Sequence, residues 1–213
     1  MSSEITADLA KRPLGCVGDF FDIGAGVTID PGRVPKRETA TYLRVANVQR
    51  GFIDLSALAR VEKFPGDEAK YALREGDLLV VEGHANPREI GRCALVANGS
   101  VGHLHQNHLF RLRSANVIAE FSQFWLNSEH VRSYWRRAAA TSSGLYTISR
   151  AVVENAPFPI LRTGEQKGIL ARMGSFSEKI RSNVEELAKL RLLKAGLVDD
   201  LLSGRVAVSV ADG

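Results

Sequence analysis

Four short segments of this 213-residue chain carry residue types whose spacing could do chemistry. Phe21 to Gly26, FDIGAG, has the glycine pattern of a loop that cradles a cofactor phosphate or a methyl donor. Such a loop must open a helix whose N-terminus faces the ligand. Here the chain continues through Pro31, Gly32 and Pro35, which do not allow that helix, so cofactor binding is not expected. Asn155 to Phe158, NAPF, is one residue from the NPPF-type tetrapeptide of adenine methyltransferases, with Ala156 in place of a proline, and reads as a connector. His103, His105 and His108 are spaced closely enough to share a metal, yet on a strand only the first two lie on one face, with no carboxylate or cysteine close by to complete a ligand set. Asp67 to Lys70, DEAK, contains a nuclease-like Glu-x-Lys pair but lacks the further carboxylates that would hold magnesium. No nucleophile, base and orienter come together, so no catalytic residue, cofactor or metal is expected.

The cations tell more. A net charge of +4 is modest, but the excess sits in three clusters on the first part of the chain. Arg33, Lys36, Arg37, Arg44 and Arg50 stand against Glu38 alone. Arg88, Arg92, Arg111 and Arg113 stand against Glu89. Arg132, Arg136, Arg137 and Arg150 lie in a stretch with no acid between His130 and Arg150. Clustered cations supply the phosphate-neutralising part of nucleic-acid affinity.

The elements that would hold these residues are short. Strands are expected at Leu43 to Val48, Leu78 to Val81, Cys93 to Ala97 and, half-buried, at His108 to Arg113, with Asn98-Gly99 as a hairpin turn before Val101. Apolar residues at helical spacing predict one helix from Val117 to about Ala139, followed by a small-residue loop, ATSSGLYTIS, and a proline-bounded connector from Ala151 to Leu161. Two cysteines, Cys16 and Cys93, are far apart and read as reduced, buried small hydrophobes. There is no membrane-spanning run and no signal peptide, so a cytoplasmic location is expected.

From Glu165 to Leu202 the chain reads as one long helix, with Thr163 and Gln166 as a capping box and Gly204 as its stop. A seven-residue repeat places Ile169, Met173, Phe176, Ile180, Asn183, Leu187, Leu190, Lys194, Leu197 and Leu201 along one narrow face. Only Asn183 and Lys194 interrupt that stripe. A helix of this length exceeds what a small domain needs to cover its core, so the face is expected to meet a partner helix; the alternative is a long terminal helix packed back on its own domain. The pattern implies an α+β class, with a globular domain followed by a long C-terminal coiled-coil helix.

Several segments in order carry a family resemblance: LRVANVQRGFIDL (Leu43 to Leu55), REGDLLVVEGHANPREIGRCAL (Arg74 to Leu95), HQNHLFRLR (His105 to Arg113), FWLNS (Phe124 to Ser128), TSSGLYTIS (Thr141 to Ser149), PFPILRTGEQKGIL (Pro157 to Leu170) and LLKAGLVDDLLSGRVAV (Leu192 to Val208). The chain resembles the specificity subunits of type I restriction-modification systems, from Pro13 onward. Those subunits have two target-recognition domains and two paired helices; this chain has one of each and resembles a half-subunit.

The resemblance implies a target-recognition domain over 1–160, a conserved dimerisation and spacer helix over 161–204, and a tail over 205–213. It implies a non-catalytic, sequence-specific DNA-binding subunit whose partners are double-stranded DNA, a second copy of itself and type I methyltransferase subunits, with room for a restriction subunit. The candidate DNA contacts are Arg33, Lys36 and Arg37 in one loop, Asn86 and Arg88 in a second, and Arg136, Arg137, Ser142, Ser143 and Tyr146 in a third. The dimer interface would be the ten-residue helical stripe, two copies pairing antiparallel about a two-fold axis, with Asn183 and Lys194 setting its register. His105, Gln106 and Asn107 belong to a motif shared across the family, whose members read different sequences, and are assigned to holding the fold. The competing reading is a protein-docking adaptor whose recognition domain does not read DNA.

Overall fold

The computed structural model describes residues 2–142 and 144–203. Two compact units divide the chain, 1–167 and 168–213. Among the described residues no helix is long and apolar enough to cross a membrane.

The first unit begins with α1 (Ser2–Leu9), β1 (Leu14–Cys16), β2 (Asp22–Ala25), β3 (Thr39–Leu43) and β4 (Ala59–Glu62). Next come α2 (Asp67–Tyr71), β5 (Leu78–Val81), β6 (Gly83–His84), β7 (Cys93–Leu95), β8 (Leu104–His105) and β9 (Leu109–Arg113). It closes with α3 (Ala119–Leu126), α4 (Glu129–Ala138), β10 (Ala140–Ser142), β11 (Leu145–Thr147), α5 (Arg150–Glu154) and β12 (Pro157–Pro159), after which α6 runs over Thr163–Leu202.

The central sheet has the order β2-β9-β5-β7, with every pair antiparallel. Leu78 to Val81 read as a continuous apolar run because both faces of β5 are covered, and all four side chains are fully buried. Leu79, Val81, Ala94 and Leu109 meet Leu43, Val48 and Leu73 in one core cluster. Burial of each large side chain there contributes roughly 1.5–3 kcal/mol. A second sheet, β4-β3-β8, packs Val27, Tyr42, Val61 and Leu104.

Several elements differ from their sequence pattern, each for a local reason. The expected strand from Leu43 to Val48 is the end of β3 followed by a tight turn, because buried Asn47 accepts from the Arg44 amide (2.9 Å) and donates to the Asp54 and Ala57 carbonyls. Asn98-Gly99 closes no hairpin. Ser100 Oγ accepts from the Ala97 amide and donates to its carbonyl, tightening a single turn, after which β8 pairs in parallel with β3 in the other sheet.

The single helix expected from Val117 to Ala139 is two. Asn127 turns its side-chain amide onto the backbone of Cys93, accepting from its N–H (3.0 Å) and donating to its carbonyl (2.8 Å), while Ser128 caps α4. Strand β9 is buried on both faces rather than half-buried, because Arg111 pairs with Asp22 and Arg113 places a two-pronged grip on Asp77. The expected loop at 140–149 contains the hairpin of β10 and β11.

The start of α6 is also capped one residue earlier than expected. Glu165 accepts from the Arg162 amide (3.0 Å), which leaves Gln166 to accept from the Ile118 amide (2.8 Å) and donate to the Leu161 carbonyl (3.0 Å). Buried Gln166 therefore anchors the first turn of α6 to the entry of α3.

Candidate nucleic-acid interface

Two of the three candidate DNA-contact loops are brought together by backbone pairing. Strand β6 continues β5 out of the central sheet and pairs with β11, setting His84 opposite Tyr146 and Gly83 opposite Thr147. The order β10-β11-β6 thus fixes the hairpin to the segment that runs from His84 to Arg92. That segment is also pressed on α4: Gly91, at φ +65°, lies where a Cβ would stand 2.4 Å from Cδ1 of the buried Trp135. Helix α4 then ends in Arg136 and Arg137 and leads directly into β10. Loop, helix end and hairpin form one continuous surface.

Within it, each candidate has a definite place. Arg88 and Arg137 are exposed, and neither guanidinium has a hydrogen bond or ion pair among the described residues. Arg136 is half-buried and bound to Glu129 and Ser133, an engagement that holds the Glu129 carboxyl below its usual range. Asn86 lies in a local turn: its Oδ1 accepts from the Arg88 amide (3.0 Å), and its own amide donates to Nδ1 of His84 (2.9 Å). Accepting at Nδ1 places the His84 ring proton on Nε2, where it can serve as a donor. Tyr146 is half-buried on β11. Ser142 ends β10, and Ser143 lies outside the described residues.

Arg50 holds this loop from beneath. Its guanidinium donates to the Arg88 carbonyl (2.8 Å) and to Asn127 Oδ1 (3.3 Å), and burial, with Arg132 nearby, lowers its pKa. Arg92 donates to the Val45 carbonyl and pairs with Glu89. Charge counting groups Arg50 and Arg92 with the phosphate-binding cations, but both face inward. Glu129, one residue outside the acid-free window, likewise pairs with Arg132 and Arg136.

The third loop is built differently. Arg33 is the least exposed of its three cations, bound to Asp67 and the Glu62 carbonyl and stacked 4.2 Å from the Phe64 ring centroid. Hydrogen bonding to Asp67 raises the Arg33 pKa. Burial works to raise the Asp67 pKa, but hydrogen bonds from Arg33 and the Phe64 amide outweigh it and leave it lowered. The backbone amides of Lys36 and Arg37 both donate to the Glu62 carboxylate, which leaves their side chains exposed. No described hydrogen bond or ion pair joins this loop to the β6-β11 surface.

The segments with catalytic patterns are absorbed by the fold. Gly26 of FDIGAG sits where a Cβ would lie 2.0 Å from the His105 carbonyl, so a close strand crossing accounts for its glycine. His105 is buried with Nδ1 on the Tyr71 carbonyl (3.0 Å); burial pushes its pKa down to about 4, partly offset by that carbonyl. His108 bonds Glu82. In DEAK, Asp67 holds Arg33 and Glu68 pairs with Lys63. NAPF ends α5 and enters β12, where buried Phe158 packs on Phe20, Phe21 and Phe121. The described residues contain no cluster of three potential metal ligands. Cys93 is buried, which pushes its thiol pKa up, and Cys16 is half-buried; both are free.

In the second unit, Asn183, Leu187, Leu190, Lys194, Leu197 and Leu201 are exposed along α6, while Ile169 is buried and Met173 half-buried. The side chains of Phe176 and Ile180, like Gly204 and the tail at 205–213, lie outside the described residues.

No family model matches this sequence, and no curated protein matches it by sequence. Solved structures do match it in three dimensions. The HsdS subunit of Thermoanaerobacter tengcongensis aligns with a TM-score of 0.66 at 16% identity, covering 94% of this chain and 51% of that one. A chain from a structure describing complex assembly and conformational transition of the type I R-M system aligns with a TM-score of 0.59 at 16% identity, covering 95% and 52%. This chain spans about half the length of each. It therefore has the fold of one half of an HsdS subunit, with a single α+β head and a single long helix.

Proposed function

We propose that this chain is a sequence-specific DNA-binding specificity subunit of a type I restriction-modification complex, working as a dimer of single-headed halves. The observation that carries the reading is the match of nearly the whole chain to about half of an HsdS subunit. A molecule with one head and one helix acquires two-fold symmetry by pairing with a second copy, and two identical heads read two identical half-sites.

The β6-β11 surface supports DNA reading. Arg88 and Arg137 offer to phosphate or guanine guanidinium groups that have no partner among the described residues, and the Asn86 amide, His84 Nε2 and the Tyr146 hydroxyl add shorter donors around them. The exposed leucines of α6 support pairing along the seam. Leu192 and Leu202, 76% and 84% exposed, lie outside that stripe and offer a separate apolar face for a methyltransferase subunit.

The test is co-expression with a type I methyltransferase subunit followed by mapping of methylated adenines. The reading predicts methylation at a symmetric, bipartite site. Absence of any complex or any site-specific methylation overturns it.

A second reading, the docking adaptor, is favoured by one observation: Arg33, Arg92, Arg111, Arg113 and Arg136 are engaged by internal partners rather than offered outward. A filter-binding titration against random duplex separates the two, since only the DNA-reading protein retains duplex.

A further inference from the structure

Dimerisation through α6, on which this inference rests, leaves the register open, and two polar residues close it. Within the antiparallel pairing that the resemblance implies, we infer that two copies of α6 take the register that sets Asn183 against Lys194 of the partner subunit and Leu187 against the partner's Leu190.

Lys194 fits that orientation. In a parallel pair each seam residue meets its own copy, so Lys194 would face a second lysine inside an apolar seam, where like charges are poorly screened. In an antiparallel pair the two seam positions alternate across the axis, and Lys194 meets a different residue.

Asn183 then decides the register. Only one antiparallel setting brings the two polar interruptions together, and the two-fold axis makes it do so twice. Each ammonium then donates to the amide oxygen of an asparagine, and the remaining layers include Leu187 against the partner's Leu190. The same setting places Lys179 near the partner's Asp200 at the rim.

A slip of one heptad in one direction puts Asn183 against the partner's Leu187 and Glu186 against its own copy. A slip in the other direction puts Asn183 against the partner's Leu201, Lys194 against the partner's Leu190, and Glu186 beside the partner's Asp200. Both slips strand polar groups among leucines and bring acids together.

Burial along α6 agrees with this overlap. The paired segment covers residues 175–202, in which Leu187, Leu190 and Leu197 are exposed, and it omits Ile169, which is buried, and Met173, which is half-buried. The register also fixes a length: the two Lys167 backbones stand roughly 65 Å apart at 1.5 Å per residue. A one-heptad slip would change that by about 10.5 Å, close to three base pairs at about 3.4 Å each. Asn183 and Lys194 thereby fix the separation of the two helix starts.

Sedimentation equilibrium of the full chain tests the register through Asn183→Asp. In the assigned register the new carboxylate meets Lys194 of the partner subunit on both sides of the axis, so the dimer Kd falls at least tenfold. Adding Lys194→Asp to that variant sets two acids face to face and raises Kd at least tenfold above the unmodified protein. A dimer whose Kd rises or stays unchanged with Asn183→Asp overturns the register but keeps the dimer. A protein that is monomeric at tens of micromolar without any substitution overturns the dimer reading, and the register with it.

Discussion

Gly91 rests against Trp135 so closely that the added methyl of an alanine would lie 2.4 Å from the indole Cδ1. This contact joins the 84–92 loop to α4 and so determines where Arg88 stands relative to Arg137. Gly91→Ala meets two penalties, a left-handed backbone at φ +65° and an overpacked indole, together about 2–4 kcal/mol. Urea unfolding should show a lowered midpoint with unchanged slope, and an unaltered midpoint would show that the loop adapts freely.

Arg137 and Arg33 should separate binding from folding. Arg137→Ala removes an exposed cation without a partner among the described residues and is expected to leave stability unchanged while flattening the salt dependence of DNA binding by about one unit. Arg33→Ala strands the buried Asp67 carboxylate and should cost about 3 kcal/mol of stability. Salt titrations and thermal melts of the two variants check this; an unchanged slope for Arg137→Ala rules out a phosphate contact.

Arg88 lies in the loop, and its side chain is exposed while its carbonyl is held by Arg50. Arg88→Gln should therefore shift the preferred base at one position in each half-site by about 1–3 kcal/mol with no loss of fold. Binding-site selection that returns the original sequence would assign Arg88 to the backbone instead.

His105 links stability to pH. Its folded pKa of about 4 lies below the ordinary histidine value of 6.5, so the unfolded chain takes up the proton first as pH falls. The contribution is complete above the unfolded pKa and is lost on acidification through the window from 6.5 to about 4, up to about 3 kcal/mol. His105→Asn keeps a donor to the Tyr71 carbonyl without the titration, and chemical unfolding across that window should show a shallower pH dependence than in the unmodified protein.

The seam can be broken without touching the head. Leu187→Glu with Leu190→Glu places four acids at the centre of the pair and should give a monomer whose first unit unfolds at the usual denaturant concentration. A variant that remains dimeric would move the interface off the seam.

The long helix was legible because one physical rule, a seven-residue apolar repeat, acts along its whole length. Leu78 to Val81 was legible for the same kind of reason, since a strand buried on both faces reads as an unbroken apolar run. Three of the misread elements are settled by a single side chain reaching along the sequence. Asn127 on the backbone of Cys93, Asn47 on the carbonyls of Asp54 and Ala57, and Gln166 on the amide of Ile118 each end or cap an element through a partner that local pattern does not reveal. The surface suffered similarly. Charge clustering counted Arg50 and Arg88, in separate clusters, alike as phosphate-neutralising cations, although one holds the loop and the other projects from it, and it missed Glu129 because that acid falls just outside the window. The hairpin at 140–147 was hidden by its small residues; the β-branched and aromatic Thr141, Tyr146 and Thr147 around Gly144 were the available signal, and His84 entered the surface only through pairing with Tyr146.

Selection from a random duplex library with the purified full chain shows whether two copies read DNA as a symmetric pair. A symmetric dimer enriches a palindromic, bipartite sequence, two identical half-sites separated by a gap of fixed length. Retention of duplex with no enriched sequence, or enrichment of a single half-site with no fixed partner, would contradict it.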